Sequence, residues 1–169
     1  MHLDQIDDTI PLEGDMAEVG VWKGETSRDI HSKAPLKVLH LYDTFKGIVM
    51  ADKDVDVHGN GEFSNTSIEE VKGNIGGDGS LIKFHIGTFP DTFTEHDKKF
   101  SFVFSDTDTY FGTKSTLEIF ASRMVPGGKI TFHDYGWHGC PGVKKAVQEF
   151  LIDKTLKTML KDTLFTITF

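Results

Sequence analysis

Acidic and imidazole side chains follow two apolar segments of this chain at the points where those segments end. Asp106 and Asp108 follow the first segment, and the pair His133-Asp134 follows the second. Carboxylate oxygens are typical ligands for a hard divalent cation, and a positioned neutral imidazole can act as a general base. Alternating Asp and Thr is also common turn chemistry, and a histidine that ends a strand can be a simple hydrogen-bonding residue. Both alternatives stay open on these residues alone.

A third candidate site is the glycine-containing turn Glu18-Val19-Gly20-Val21-Trp22-Lys23-Gly24. An apolar segment (16–19) leads into it, and a predicted helix (25–33) leads out, so backbone N–H groups and the positive end of the helix dipole face a bound ligand. The three-glycine fingerprint of dinucleotide sites is not matched. An acid in the turn would repel a pyrophosphate and suits a cationic ligand such as S-adenosylmethionine. A plain glycine-rich turn is the alternative.

Asp43 ends the next apolar segment and lies 25 positions after Glu18. An acid at this place can accept hydrogen bonds from the ribose hydroxyls of an adenosine. The alternative is an aspartate that only caps a turn.

The acidic stretch 52–59 superficially resembles a calcium-binding loop. Val57 stands where that loop needs glycine, and Phe63 stands where it needs a bidentate glutamate. We therefore predict a solvated, mobile acidic loop.

These candidate residues are separated by alternating strand and helix patterns. The predicted strands are 16–19, 37–42, 81–86, 100–105 and 129–132, and the predicted helices are 25–33, 67–74, 113–124 and 142–153. A turn at 76–79, a turn of helix within 88–98 and a β-rich tail at 163–169, paired with 156–160, complete the prediction. Helical crossovers predict a mostly parallel sheet covered on both faces. Ligands bind at the carboxyl ends of such strands, so the polar residues above should share one crevice.

Composition excludes several classes of protein. The 169 residues suit a single domain (1–169), and the net charge of −8 argues against non-specific binding to nucleic acid or anionic membranes. Cys140 is the only cysteine, which excludes an intrachain disulfide and indicates a reducing, cytoplasmic location. No apolar run reaches membrane-spanning length.

Four motifs, taken in order, resemble a known family. They are the glycine turn 18–24, Leu-Tyr-Asp-Thr-Phe-Lys-Gly at 41–47, Ser-Asp-Thr-Asp-Thr-Tyr at 105–110, and His-Asp-Tyr-Gly at 133–136, which the stretch Gly-Cys-Pro-Gly-Val-Lys-Lys-Ala-Val follows. Together with Ile-Gly-Thr-Phe-Pro-Asp-Thr-Phe at 86–93, they are similar to the macrocin O-methyltransferase family over about residues 14–150. These are class I S-adenosylmethionine-dependent enzymes that methylate sugar hydroxyls of natural products.

The resemblance implies a fold, a cofactor and a metal. The fold is a Rossmann-like α/β domain with a seven-stranded, mostly parallel sheet, helices on both faces and a C-terminal antiparallel hairpin. The ribose of S-adenosylmethionine would lie on Asp43 and its adenine near Gly87. A magnesium ion would be held by Asp106 and Asp134. The residues placed against the rest of the cofactor are Glu18, Gly20, Val21, Trp22 and Gly24.

This chain departs from the family pattern in two ways. His133 stands where the family usually has a second aspartate, and imidazole suits manganese or another borderline metal better than magnesium. His133 could instead act as the base of a metal-free variant, beside Asp106. Only about fifteen residues precede the first motif, where the family has a longer helical region. The acceptor pocket would then be open, or completed by a partner subunit in a homo-oligomer.

The sequence therefore predicts O-methylation of a hydroxyl on a small, sugar-like or natural-product acceptor. A second interpretation is another reaction of an adenosyl ligand on the same fold. A third, from a different class, is a non-catalytic protein that binds the cofactor or serves as a scaffold.

Overall fold

Seven strands form one sheet in the order β3-β2-β1-β4-β5-β7-β6. In the computed structural model, which describes residues 3–76 and 79–169, strands β1 to β5 are parallel and β7 runs antiparallel to both β5 and β6. Strands β2 and β3 are added on one side of β1, and strands β4 and β5 on the other side. The topological switch point therefore lies between β1 and β4. The strands are Asp15–Val19 (β1), Leu39–Asp43 (β2), Ile82–Ile86 (β3), Phe100–Ser105 (β4), Met124–Phe132 (β5), Lys157–Lys161 (β6) and Leu164–Thr168 (β7).

Helices cover both faces of the sheet because alternate strand residues point to opposite sides. On one face, Met16 and Leu41 belong to a buried cluster with Ile30 of helix α1. On the other face, Ala17 and Val103 pack in a second cluster that helices α3 and α4 complete. The α-helices are Glu25–Lys33 (α1), Ile68–Ile75 (α2), Tyr110–Phe120 (α3) and Pro141–Leu151 (α4), and 3₁₀ turns span Asp4–Thr9 and Ala121–Arg123.

The structure differs from the predicted elements chiefly at three places. Helix α3 spans Tyr110–Phe120 instead of 113–124, because the Thr109 hydroxyl caps its start by accepting the Gly112 N–H and a 3₁₀ turn follows its end. Strand β5 begins at Met124, five residues earlier than predicted, because Pro126-Gly127-Gly128 forms an irregularity within the strand and does not end it. There the Gly127 N–H donates to the Phe169 carbonyl across the sheet, at 2.7 Å. The link 88–98 contains turns but no turn of helix. The predicted turn at 76–79 lies partly outside the described residues.

The predicted fold class is confirmed, including the C-terminal antiparallel hairpin formed by β6 and β7. Among the described residues, no helix combines the length and the apolar character needed to cross a membrane.

Candidate active site

An open cavity lies at the carboxyl ends of β1, β2 and β4, with about 690 Å³ of empty space that includes its opening to solvent. Among the residues predicted to bind or react, those that line the cavity are Gly20, Trp22, Asp43, Gly87 and Asp106. The sheet therefore brings the glycine turn, the second-strand acid and one member of the acidic cluster to one cavity.

Asp43 holds the glycine turn through its side chain. Its Oδ2 accepts the backbone N–H groups of Val21 at 2.7 Å and of Trp22 at 3.0 Å, and its Oδ1 accepts the N–H of Phe45 at 2.7 Å. An ionised carboxylate offers about four acceptor positions. Three are used by the backbone, which leaves one for a ligand hydroxyl.

The turn can approach β4 only because residue 20 is glycine. A Cβ atom on Gly20 would lie 2.0 Å from the carbonyl oxygen of Asp106, and the backbone φ is +84°. Trp22 also has a positive φ, of 48°, and its side chain remains 42% exposed at the cavity. Gly87 stands on the far side of Asp43 and donates its N–H to the Asp43 carbonyl at 3.0 Å.

The other three residues predicted to touch the cofactor lie behind the cavity. The side chain of Val21 is buried, and Gly24 is the left-handed residue that precedes α1. Glu18 is 1% exposed and accepts a hydrogen bond from the Ser27 hydroxyl of α1. Burial raises the pKa of Glu18 well above its usual value. Because the side chain is buried and bonded to α1, it supports the turn from within the core.

Asp106, His133 and Asp134 form one cluster at the edge of the cavity. The Nδ1 atom of His133 lies 3.1 Å from Oδ1 of Asp106 and 3.0 Å from Oδ2 of Asp134. All three ligand atoms fall within 4.8 Å of one another. The Nδ1 atom is buried, yet neither carboxylate is placed to form a well-directed hydrogen bond with it. Two carboxylates and one imidazole nitrogen that converge in this way fit a divalent cation of borderline type.

The two carboxylates also control the protonation of His133. Burial lowers the pKa of the imidazole, but interactions with Asp106 and Asp134 outweigh burial and raise the pKa to about 10. The ring therefore carries a proton at neutral pH unless a cation replaces that proton.

Asp108 is the second carboxylate that the sequence indicates as a possible cation ligand after the fourth strand, although the family resemblance implies no role for it. It lines the cavity in a left-handed conformation, with φ of 59°. Burial, and then the charge of Asp106, raise its pKa to about 7, although it accepts a hydrogen bond from the thiol of Cys140 at 3.3 Å. The sequence signal for it was its spacing of two residues from Asp106, which also fits ordinary turn chemistry.

The long loop between β2 and α2 (residues 44–67, the β2–α2 loop) forms one wall of the cavity with Ile48, Val49 and Phe63. We predicted its acidic stretch 52–59 to be solvated and mobile, but the carboxylates of Asp52 and Asp56 in this stretch have backbone partners. Asp56 accepts the N–H of Tyr110, the first residue of α3, at 2.8 Å. Asp56 therefore docks the loop against the start of α3, an outcome that the sequence pattern does not reveal.

Four aromatic rings form a continuous series, which we call the aromatic rim, that begins with Trp22 and Phe63 in the cavity wall and continues beyond the cavity. Trp22 contacts Phe63 with a centroid distance of 6.0 Å, and Phe63 contacts His58 at 5.3 Å. His58 then contacts Trp137, in the β5–α4 connection, at 6.0 Å. The rim joins the glycine turn, the β2–α2 loop and the segment that follows His133-Asp134.

Comparisons with known proteins agree with this geometry. A curated relative from Streptomyces olivaceus, 8-demethyl-8-(2,3-dimethoxy-alpha-L-rhamnosyl)-tetracenomycin-C 4'-O-methyltransferase, is 27% identical over 147 residues. That match covers 76% of this chain and 56% of the relative, so the chain spans little more than half of the relative's length.

Two solved structures show the same fold. The O-methyltransferase NovP superimposes with a TM-score of 0.80 at 24% identity, over 96% of this chain and 75% of NovP. MycE methyltransferase from the mycinamycin biosynthetic pathway, solved in complex with Mg and SAH (S-adenosylhomocysteine), superimposes with a TM-score of 0.62 at 14% identity, over 96% of this chain and 47% of MycE.

The family model described as Macrocin-O-methyltransferase (TylF) matches residues 3–169, almost the whole chain. The resemblance inferred from the four motifs is thereby confirmed: the chain belongs to the macrocin O-methyltransferase family.

Proposed function

We propose that this protein transfers a methyl group from S-adenosylmethionine to a hydroxyl of a small, sugar-bearing natural product. One observation carries the proposal: Asp43 and Asp106 line the same cavity. Asp43 lies beside the glycine turn, and Asp106 belongs to the cluster with His133 and Asp134. A site for an adenosyl ligand and a site for activating a hydroxyl thus share one cavity. Membership of the family and the sugar-modifying relative support the reaction and the class of acceptor.

The cofactor would lie along the glycine turn. The unused acceptor position of Asp43 suits a ribose hydroxyl, and the open backbone at Gly87 suits the adenine edge. The N–H groups of the turn are already bonded to Asp43, so the turn is rigid before the ligand arrives. Rigidity of this kind reduces the entropy cost of binding.

Methyl transfer is an in-line displacement at the sulfonium methyl group. The acceptor oxygen forms a bond to the methyl carbon, the carbon–sulfur bond breaks, and S-adenosylhomocysteine leaves. A hydroxyl is a weak nucleophile and must lose its proton, here to solvent water, as it attacks. Asp106, His133 and Asp134 would hold a divalent cation, which would lower the pKa of a coordinated hydroxyl.

The same three side chains decide between two roles for His133. As a ligand, the ring is neutral at Nδ1 and points between the carboxylates, which agrees with the distances above. As a base, the ring would need to be neutral in the absence of a cation. Because the carboxylates raise its pKa to about 10, it would be protonated instead, and we favour the ligand role.

The acceptor would enter beside the aromatic rim. Trp22, Phe63 and Trp137 are each about two-fifths exposed, so they offer apolar ring faces without closing the cavity. Aromatic rings contribute contact area at a low cost in conformational entropy.

A single domain, a cytoplasmic location and a homo-oligomer remain predictions.

Measured methyl transfer with defined metals tests the proposal. We would follow transfer from S-adenosylmethionine to a panel of aryl rhamnosides, for the native protein and for His133→Asp, in the presence of chelator and after adding Mn²⁺ or Mg²⁺. We expect chelator to abolish transfer, Mn²⁺ to restore it, and His133→Asp to shift the preference towards Mg²⁺, because a third carboxylate favours the harder ion. His138→Asp, in the neighbouring segment, is the matched control and should not shift the preference.

Each alternative interpretation has its own outcome in this experiment. Full activity in excess chelator, with a loss of about 10²–10⁴-fold in rate for His133→Asp, would show that His133 is a general base. Binding of S-adenosylhomocysteine in calorimetry, with no transfer to any acceptor, would support the non-catalytic interpretation. Failure to bind S-adenosylhomocysteine would contradict the methyltransferase proposal itself.

A further inference from the structure

A second cluster of candidate ligands lies on the sheet away from the cavity. It consists of His40 on β2, His85 on β3 and Glu95 in the link between β3 and β4. The three side chains are 5%, 13% and 13% exposed, respectively, and none of them lines the cavity. The cluster lies where the link 88–98 packs on β2 and β3. This link contains turns instead of the predicted turn of helix.

The three ligand atoms have the spacing of a metal site. His40 Nδ1 and His85 Nε2 are 3.0 Å apart, and Oε1 of Glu95 lies 3.6 Å from His85 Nε2 and 3.9 Å from His40 Nδ1. Zinc binds imidazole nitrogen and carboxylate oxygen at about 2.0–2.2 Å, which places neighbouring ligand atoms of a tetrahedral site about 3.3–3.5 Å apart. A point about 2 Å from all three atoms exists in this triangle.

Outer partners already orient two of the ligands. Oδ2 of Asp15 lies 3.1 Å from Nε2 of His40, so the ring proton belongs on Nε2 and the lone pair on Nδ1. The Tyr42 hydroxyl donates to Oε2 of Glu95 at 2.7 Å, and the Thr94 hydroxyl donates to Oε1 at 2.8 Å, which leaves one lone pair of Oε1 for the side of the histidines. A carboxylate behind a ligating histidine is the usual arrangement around a bound metal.

The histidine pair also contains a proton that a cation can replace. With the lone pair of His40 on Nδ1, His85 must donate an Nε2 proton across the 3.0 Å contact. A divalent ion can take the place of that proton and use both lone pairs together with Oε1 of Glu95.

We propose that His40, His85 and Glu95 form a second cation site, which takes zinc or a similar borderline divalent ion. Two imidazoles and one carboxylate are a common protein ligand set for zinc, with water as the fourth ligand. The site attaches the β3–β4 link to the faces of β2 and β3. It therefore acts as a structural clip, separate from the cation site at Asp106, His133 and Asp134.

Zinc binding to a protein without the active-site ligands tests this inference. Among the residues that the structure describes, both other groups of metal-type ligands contain Asp134, so the double variant Asp106→Asn/Asp134→Asn removes them. We would titrate this variant with ZnCl₂ by equilibrium dialysis and count zinc by atomic emission. We expect one zinc ion per chain, and a four-coordinate absorption spectrum when Co²⁺ replaces zinc.

Further substitutions in the same background identify the ligands. His85→Ala should weaken zinc binding by at least 100-fold, and Asp15→Asn by about 10–100-fold through loss of the outer partner. His96→Ala is the matched control, since His96 is exposed and adjacent to Glu95 but outside the cluster. Glu95→Gln provides a second ligand variant if far-UV circular dichroism shows that His85→Ala is unfolded.

The outcomes separate a metal site from a simple hydrogen-bonded network. Zinc should raise the unfolding temperature of the background variant and of His96→Ala, but not of His85→Ala or Glu95→Gln. Absence of zinc binding to the background variant would overturn the proposal. Equal zinc affinity in His85→Ala and His96→Ala would also overturn it.

Discussion

At the scale of single residues, the carboxylate of Asp43 has room for two tasks that the sequence presents as alternatives. An acid at the end of the second strand was interpreted either as a ribose acceptor or as a turn-capping residue. Its carboxylate accepts three backbone N–H groups and still has one acceptor position for a ligand. The two interpretations are therefore compatible, because a carboxylate has more acceptor positions than a turn requires.

Asp43→Ala should weaken binding of S-adenosylhomocysteine without unfolding the protein. The substitution removes the ribose acceptor and leaves the N–H groups of Val21 and Trp22 without their partner. We expect a loss of about 1–3 kcal/mol in binding free energy, to be measured by calorimetry. Asp91→Ala, which removes an exposed carboxylate from the β3–β4 link, is the control and should bind normally. Equal affinities for the two variants would contradict the role assigned to Asp43.

At the scale of elements, the site depends on how closely the β1–α1 turn approaches the end of β4. Gly20 N–H donates to the Tyr42 carbonyl, and Asp106 N–H donates to the Val19 carbonyl, so the three strand ends are connected through their backbones. The glycine at position 20 sets the separation between the turn and β4.

Gly20→Ala should therefore disrupt the site, whereas Gly73→Ala should not. The new Cβ at position 20 would overlap the Asp106 carbonyl, and the positive φ would add about 1–3 kcal/mol of strain. Gly73 lies in α2 with no atom within 4 Å of an added Cβ, and alanine there should stabilise the helix by about 0.5–1 kcal/mol. Urea unfolding measures both effects. A Gly20→Ala variant as stable as the native protein would show that the turn can move away from β4.

Elements with a strong local pattern were predictable from the sequence, and elements defined by partners across the sheet were not. Helix α1 follows a clear polar pattern after the glycine turn, and it spans the predicted residues. The start of β5 was missed because Pro126-Gly127-Gly128 looks like a break, while its pairing depends on the Phe169 carbonyl, about 40 positions away. The docking of the β2–α2 loop was missed for the same reason, since Asp56 finds its partner on α3.

At the scale of the whole molecule, a buried acid links stability to pH. Glu18 is buried between β1 and α1, and its pKa is raised well above 4.5, chiefly by burial. The folded state therefore retains a proton that the unfolded state loses near its ordinary pKa. Since the native state binds more protons in this window, stability decreases as pH rises from about 4.5 to the folded-state pKa.

Glu18→Gln should remove this part of the pH dependence. Glutamine cannot ionise and keeps an acceptor oxygen for the Ser27 hydroxyl. We expect the variant to match the native protein near about pH 4 and to become the more stable of the two as pH rises to about 8. Urea unfolding across this range measures the difference, with the exposed Glu69→Gln as control. Parallel stability profiles for Glu18→Gln and the native protein would contradict the assignment.

The aromatic rim also gives the protein a built-in optical reporter. The chain has two tryptophans, and they are the two end members of the rim, Trp22 and Trp137. Tryptophan fluorescence of the folded protein therefore originates from the cavity wall at Trp22 and from the neighbouring surface at Trp137, and not from the core. Trp137→Phe would leave Trp22 as a single emitter beside the glycine turn, so that occupancy of this half of the cavity could be followed in real time without any added dye.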